Sequence, residues 1–136
     1  MGYEISGALG IKMAKPNQDV IVFVGDGSYL LHNSDIYSSV IYNKKLIIVV
    51  CDNGGHMVIN RLQLAKGGKE YLCNLRAANA SQLQFVDFEA HAKSMGANAE
   101  TVKSITDLEA AFERAKKSDK TYVISIETHG YEWLDG

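Results

Sequence analysis

Two strand-like runs of this sequence end on residues able to hold a hard cation. "VIVFVGDGS" carries Asp26 between Gly25 and Gly27, and "LIIVVCDNGGH" ends on Asp52, Asn53, Gly54 and Gly55. Glycines at 25 and 27 are expected to allow a tight turn with positive φ. They would also leave backbone N–H groups bare for an anion at the start of the following helix. A carboxylate in that place repels a phosphate unless a cation lies between them. Mg²⁺ meets the need, because it takes hard oxygen ligands shared among one or two carboxylates, phosphate oxygens and water. Asn53 offers an amide oxygen and Gly55 a backbone carbonyl, so the two strand ends read together as a metal-diphosphate clamp. Taken alone, Gly-Asp-Gly also describes an ordinary turn, where Asp-Gly is common.

The elements that must position these residues alternate along the chain. "GYEISGALGIKMA" places Ile5, Ala8, Leu9 and Met13 at helical spacing and predicts a helix over residues 3 to 14, closed by Lys15 and Pro16. "DVIVFVG" and "KLIIVVCD" are short, β-branched and almost continuously apolar, as strands covered on both faces of a parallel sheet are. Residues 28 to 42 are expected to form the crossover helix between them, while residues 54 to 82 lack clean periodicity and suit a functional loop as well as a helix. Asp87 and Gly96 bracket a further helix, followed by a short strand at 100 to 102. "SITDLEAAFERAKKS" is an amphipathic helix with Leu108, Ala111, Phe112 and Ala115 on one face, and "TYVISIET" is the last strand. The expected fold is α/β: a three-layer open sheet, mainly parallel, with helices on both faces. Ligands of such sheets bind beyond the carboxyl ends of the strands, where both glycine-flanked segments fall.

The chain has 136 residues, 46% apolar and 22% charged, with formal net charge −2, so one compact domain over residues 1 to 136 is expected. No basic block or aromatic-basic stripe suggests nucleic acid as a partner. No run is long enough to span a membrane, and the first residues lack a signal-peptide pattern, which leads to the expectation of a cytoplasmic location. Cys51 and Cys73 are not in zinc-type spacing.

The spacing of the two strand ends resembles the signature of thiamine-diphosphate-dependent enzymes. There, Gly-Asp-Gly is followed after some two dozen residues by an Asn-Asn pair; here residues 28 to 51 separate "GDG" from "DN". The resemblance implies thiamine diphosphate and Mg²⁺ as cofactors. It makes the Asp26 and Asn53 side chains and the Gly55 carbonyl metal ligands, and turns Gly27 and Ser28 toward the diphosphate, beside the turn glycine Gly25. Asp52 departs from the first Asn of the pair, but the second position is the ligand. "MGYEISGALGIKMAKP" is similar to the stretch of acetohydroxyacid synthases in which a Met supports the bent cofactor, which implies that role for Met1 and a close approach of the aminopyrimidine to Gly2. His56, next to the metal loop, reads either as a residue touching the bound molecules or as a solvated loop histidine, and is counted with the cofactor-binding residues. "MGYE", "GDGSYL", "INRLQ" and "GYEWL" most resemble the trihydroxycyclohexanedione hydrolases of inositol breakdown, with Arg61 departing from that group's Asn.

The resemblance also implies something missing. The glutamate that activates the cofactor in this family comes from a pyrimidine-binding domain, usually of a second subunit, and Glu4, Glu70 and Glu89 sit in contexts unlike its motif. No catalytic residue is therefore expected in this chain. Pyrimidine and central domains are expected elsewhere, in a homo-oligomer acting on a small molecule, with the isolated chain inert as a fragment or split subunit. Acetohydroxyacid synthesis or 2-oxoacid decarboxylation is an alternative reaction, and an inactive cofactor-binding module an alternative role. A signalling receiver would need several converging carboxylates and a late Lys, which "SIETHG" does not offer. Asn60, Arg61 and Gln63 read either as the mouth of the active site or as an exposed helix face. His32 and Asn33 read as diphosphate neighbours or caps, His91 as a surface or boundary residue, and His129, Tyr131 and Trp133 as a lid or a packing seam.

Overall fold

The computed structural model describes residues 1–77 and 85–129. Its elements are α1 (Tyr3–Ala14), β1 (Ile21–Gly25), α2 (Asp26–Leu31), α3 (Asp35–Ile41), β2 (Ile47–Asp52), α4 (Met57–Ala65), a 3₁₀ turn (Leu75–Ala77), α5 (Phe88–Ser94), β3 (Asn98–Val102), α6 (Ile105–Lys117) and β4 (Tyr122–Glu127). The four strands form one parallel sheet in the order β1-β2-β4-β3. Register does the positioning: Gly25 stands opposite Cys51, and Asp52 opposite Glu127. Because the strands run the same way, the ends of β1, β2 and β4 reach one edge of the sheet side by side. Asp26 and Asn53 arrive there together.

The apolar pattern divides into two layers of core. Val22, Val24, Ile48, Val50 and Val123 pack beneath α1, α2, α3 and α5 through Ile5, Leu9, Tyr29, Ile36 and Phe88. On the opposite face Ile47, Val102 and Ile124 meet Ala111 and Ala115 of α6, flanked by Leu108 and Phe112. The predicted face of α6 is thus the buried one. On that side of the edge strand, Phe23 remains 60% exposed, touched by the ring of Phe112 at 6.4 Å between centroids.

Two expectations need correction, and one open reading is decided. The crossover over residues 28 to 42 is two short helices, because the chain leaves helical geometry at His32 and the Asn33 amide donates to the Tyr29 carbonyl at 3.1 Å, taking an acceptor that a continuing helix would use. In α1, Lys12 rather than Met13 is buried, its ammonium donating to the Gln18 carbonyl at 2.6 Å. Residues 54 to 82 include the helix α4, which sequence periodicity leaves undecided. Elsewhere the expected signals operate as read. The Asp87 side chain accepts from the Ala90 N–H at 2.9 Å, and Gly96 ends α5 with φ +85. Ser104, which the sequence reading does not single out, caps α6 by accepting from the Asp107 N–H at 3.1 Å.

Candidate metal and diphosphate site

At the sheet edge the expected ligand residues meet. Asp26 opens α2 and is 3% exposed. One terminal atom of the Asn53 amide lies 3.0 Å from the Gly55 carbonyl oxygen and 3.1 Å from Oδ1 of Asp26. With nitrogen in that place the amide donates to both. With oxygen there, three oxygens from two strand ends converge, an arrangement that repels itself unless a cation is shared. The spacing suits that cation, since octahedral ligands about 2.1 Å from Mg²⁺ stand roughly 3 Å from one another. The donor set of one carboxylate, one amide and one carbonyl is hard oxygen throughout.

The electrostatics of Asp26 agree with this use. Burial pushes its carboxyl above the usual carboxylate range, and the charge of Asp52 adds to the effect, while the N–H groups of Gly27, Asn53 and Gly55 act the other way. A carboxylate held ionised at a buried strand end is stabilised by a positive charge beside it.

Beside these ligands opens a cavity of about 340 Å³ lined by Met1, Glu4, Gly25, Gly27, Ser28, Asn53, Gly55, His56 and the first residues of α4. Seven of the nine expected cofactor-contacting positions therefore share one cavity. A β-carbon at Gly25 would meet nothing within 4 Å, so the space above the α2 N-terminus is open. The conformations differ from expectation, however: Gly25 is extended at φ −72, and Gly27 is not among the positive-φ residues. Gly27 is small for another reason, since a β-carbon there would fall onto the ring of His56. Positive φ belongs instead to Gly54 (+89) and Gly55 (+137), where the loop after β2 turns. Gly2 caps α1 with φ +87, and a β-carbon on it would stand 2.9 Å from Cβ of His32.

Two polar atoms of the cavity residues are buried without a partner, Oε2 of Glu4 and Nδ1 of His56. No motif singles out Glu4 as a site residue. Its place in the first turn of α1 brings it to Ser28, whose hydroxyl, after the backbone N–H of Glu4 itself, holds the carboxyl below its usual range. Among the flanking residues, Asn60 is buried rather than exposed and donates to Glu70 Oε2 at 3.0 Å, while Gln63 accepts from the Cys73 thiol at 3.7 Å. His32 pairs locally with Asp35 at 3.6 Å. His91 is a boundary residue whose Nδ1 meets the hydroxyl of fully buried Tyr29 at 2.8 Å. His129 lines a second cavity, about 640 Å³, with Asn53, Met57, Asn74, Arg76, Lys103 and Glu127. Tyr131 and Trp133 lie outside the described residues. Arg76 escapes sequence reasoning because "NLRAANAS" has no periodicity or motif, although the charge of Asp52 calls for a cation nearby.

Known proteins resemble this chain over most of its length. Residues 1–126 match the family described as thiamine pyrophosphate enzyme, C-terminal TPP binding domain. The chain is 40% identical over 136 residues to a 3D-(3,5/4)-trihydroxycyclohexane-1,2-dione hydrolase of Halalkalibacterium halodurans, covering all of this chain and 21% of that protein. It is 38% identical over 136 residues to the protein of that name from Bacillus subtilis, with the same two coverages, and 42% identical over 127 residues to the one from Listeria innocua, covering 93% of this chain and 20% of that one. The chain thus spans about a fifth of the length of the curated relatives it matches. In fold it is similar to a thiamine diphosphate-dependent 4-hydroxybenzoylformate decarboxylase of Rhodococcus jostii RHA1, at TM-score 0.79 and 22% identity over 95% of this chain and 23% of that one. The parallel sheet is accordingly that of a known enzyme family, and this chain belongs to it as a thiamine pyrophosphate enzyme C-terminal TPP-binding domain.

Proposed function

We propose that this domain holds thiamine diphosphate through Mg²⁺ for an enzyme that opens the ring of 3D-(3,5/4)-trihydroxycyclohexane-1,2-dione. The observation that carries the cofactor reading is the Asn53 amide standing 3.0 Å from the Gly55 carbonyl and 3.1 Å from the Asp26 carboxyl. Asp26, Asn53 and the Gly55 carbonyl hold the metal, and the open turn at Gly25, Gly27 and Ser28 seats the diphosphate. The chemistry supplied by bound thiamine diphosphate is nucleophilic addition to a carbonyl and an electron sink for breaking a carbon–carbon bond. Met1, Ser28 and His56 orient the cofactor from the cavity wall. Nδ1 of His56 and Oε2 of Glu4, both buried and unpartnered, are the polar atoms available to a ligand there.

The substrate reading rests on the curated relatives, which carry that hydrolase name at 37–42% identity. Partners follow from the rim: Met1, Val58 and Ile59 line the cavity yet stay 64%, 58% and 41% exposed, apolar surface of the kind another domain covers. A pyrimidine-binding domain of the same or a second subunit is the cover proposed, and it brings the activating glutamate. An assay of the complete enzyme tests the reaction. Ring opening of the dione with little turnover of pyruvate is expected; efficient 2-oxoacid decarboxylation or acetohydroxyacid synthesis without ring opening would contradict it.

A further inference from the structure

The loop that presents Asn53 and Gly55 is held from its far side. Residues 73 to 75 run beside it, where the His56 N–H donates to the Cys73 carbonyl at 2.8 Å and the Leu75 N–H to the Gly54 carbonyl at 2.8 Å. Gly55 and Asn74 form an antiparallel bridge between them. At the end of this strap stands Arg76, whose N–H donates to Oδ1 of Asn74 at 3.1 Å. Its guanidinium forks: Nη1 lies 3.0 Å from Oε1 of Glu127, and Nη2 lies 3.3 Å from Oδ1 of Asp52. The same Asp52 oxygen accepts the Gly54 N–H at 3.0 Å. The arginine stem crosses so close to Gly54 that a β-carbon there would stand 2.8 Å from Cδ and Nε.

These contacts have one geometric result. Asp52 and Glu127 are paired residues at the ends of β2 and β4, so a single planar fork ties two neighbouring strands where the metal loop leaves the sheet. The side chain covalently next to the Asn53 ligand is fixed by it. The fork also occupies Asp52, a second carboxylate that would otherwise compete with Asp26 for a cation.

We infer that Arg76 is a positioning residue of the cation site, forked between Asp52 and Glu127 so that residues 52 to 55 keep Asn53 and the Gly55 carbonyl aimed at Asp26. The inference rests on the metal reading proposed above. Lys cannot replace it fully, because an ammonium is a point charge and does not bridge both carboxylates in one plane.

Mn²⁺, a hard-oxygen ion with an electron-spin resonance signal, is the probe, titrated into the 136-residue chain well below its melting temperature. Arg76→Met is expected to weaken Mn²⁺ binding on the order of tenfold, as loss of a group supporting metal ligands does, and Arg76→Lys to recover part of it. In an Asp52→Asn background Arg76→Met should cost less than it does alone, because the partner is already changed. Glu127→Gln, at an exposed side chain, should weaken binding about twofold and covers the case in which Arg76→Met melts too low. Unchanged Mn²⁺ affinity in Arg76→Met, or strictly additive losses in the cycle, would overturn the positioning role. Wild-type affinity in Asp26→Ala would sink the metal reading itself, a separate outcome.

Discussion

At the scale of single residues, the glycines differ sharply in what they do. Gly55 holds φ +137, and a β-carbon on it would meet the Cys73 carbonyl, a backbone atom that cannot swing aside. Gly10, in α1, has nothing within 4 Å of the point where a β-carbon would stand. Gly55→Ala is therefore expected to cost about 1–3 kcal/mol of stability and to disturb the metal loop. Gly10→Ala should add about 0.5–1 kcal/mol by helix propensity. Urea unfolding of the two variants checks both signs; a Gly55→Ala protein as stable as wild type would mean that the loop can turn another way. The residues of the site are legible in the sequence in one respect only. That Asp26, Asn53 and Gly55 come together can be read from type and spacing, because oxygen-bearing residues at the ends of two parallel strands are the kind a hard cation takes. Positive φ cannot be assigned correctly between Gly25, Gly27, Gly54 and Gly55, since the sequence does not say which glycine is needed for a turn and which for a close neighbour.

At the scale of elements, two contacts fix how helices sit on the sheet. The hydroxyl of Tyr29, in the helix that starts with Asp26, meets Nδ1 of His91 in α5 at 2.8 Å, and the Tyr29 ring stands edge-on to Phe88. Tyr29→Phe should lose about 1 kcal/mol, read by thermal or urea unfolding, with the ring packing preserved. On the other face Arg114 of α6 forks onto Glu100 of β3 at 2.9 and 2.6 Å, and the Tyr122 hydroxyl donates to the same carboxylate at 2.6 Å. The hydrogen bond from Arg114, with help from Tyr122, holds the Glu100 carboxyl below its ordinary 4.5 against the pull of burial. A carboxyl lowered in the folded state gives stability that is present above its unfolded pKa and is lost as pH falls through the folded one. Glu100→Gln should flatten the decline of stability below about pH 4.5. An identical acid limb in both proteins would show that the pair is not coupled to folding. Element order is readable because strands buried on both faces are continuously apolar and α6 is strongly amphipathic. The break at His32 and the helix α4 are not, since both depend on contacts made after folding: an Asn33 side chain taking a backbone acceptor, and a buried Asn60 held by Glu70.

At the scale of the whole molecule, the parallel register does for function what no local signal could, bringing the ends of β1 and β2 to one edge with the Asn53 amide 3.0 Å from the Gly55 carbonyl and 3.1 Å from the Asp26 carboxyl. The chain supplies the anchor of a cofactor and a cavity whose rim is exposed apolar surface, while matching about a fifth of its relatives' length. Purified alone with thiamine diphosphate, Mg²⁺ and the dione, it is expected to show no turnover if, as proposed, the activating carboxylate is brought by a pyrimidine-binding domain. Ring opening by the isolated chain would contradict that division of labour. The most direct measurement of the central claim is calorimetric titration of thiamine diphosphate into the wild-type chain and into Asp26→Ala, each with and without Mg²⁺. Binding that requires Mg²⁺ and is lost in Asp26→Ala is the expected result. Equal binding by the two proteins, or binding indifferent to Mg²⁺, would contradict a clamp built from Asp26, Asn53 and Gly55.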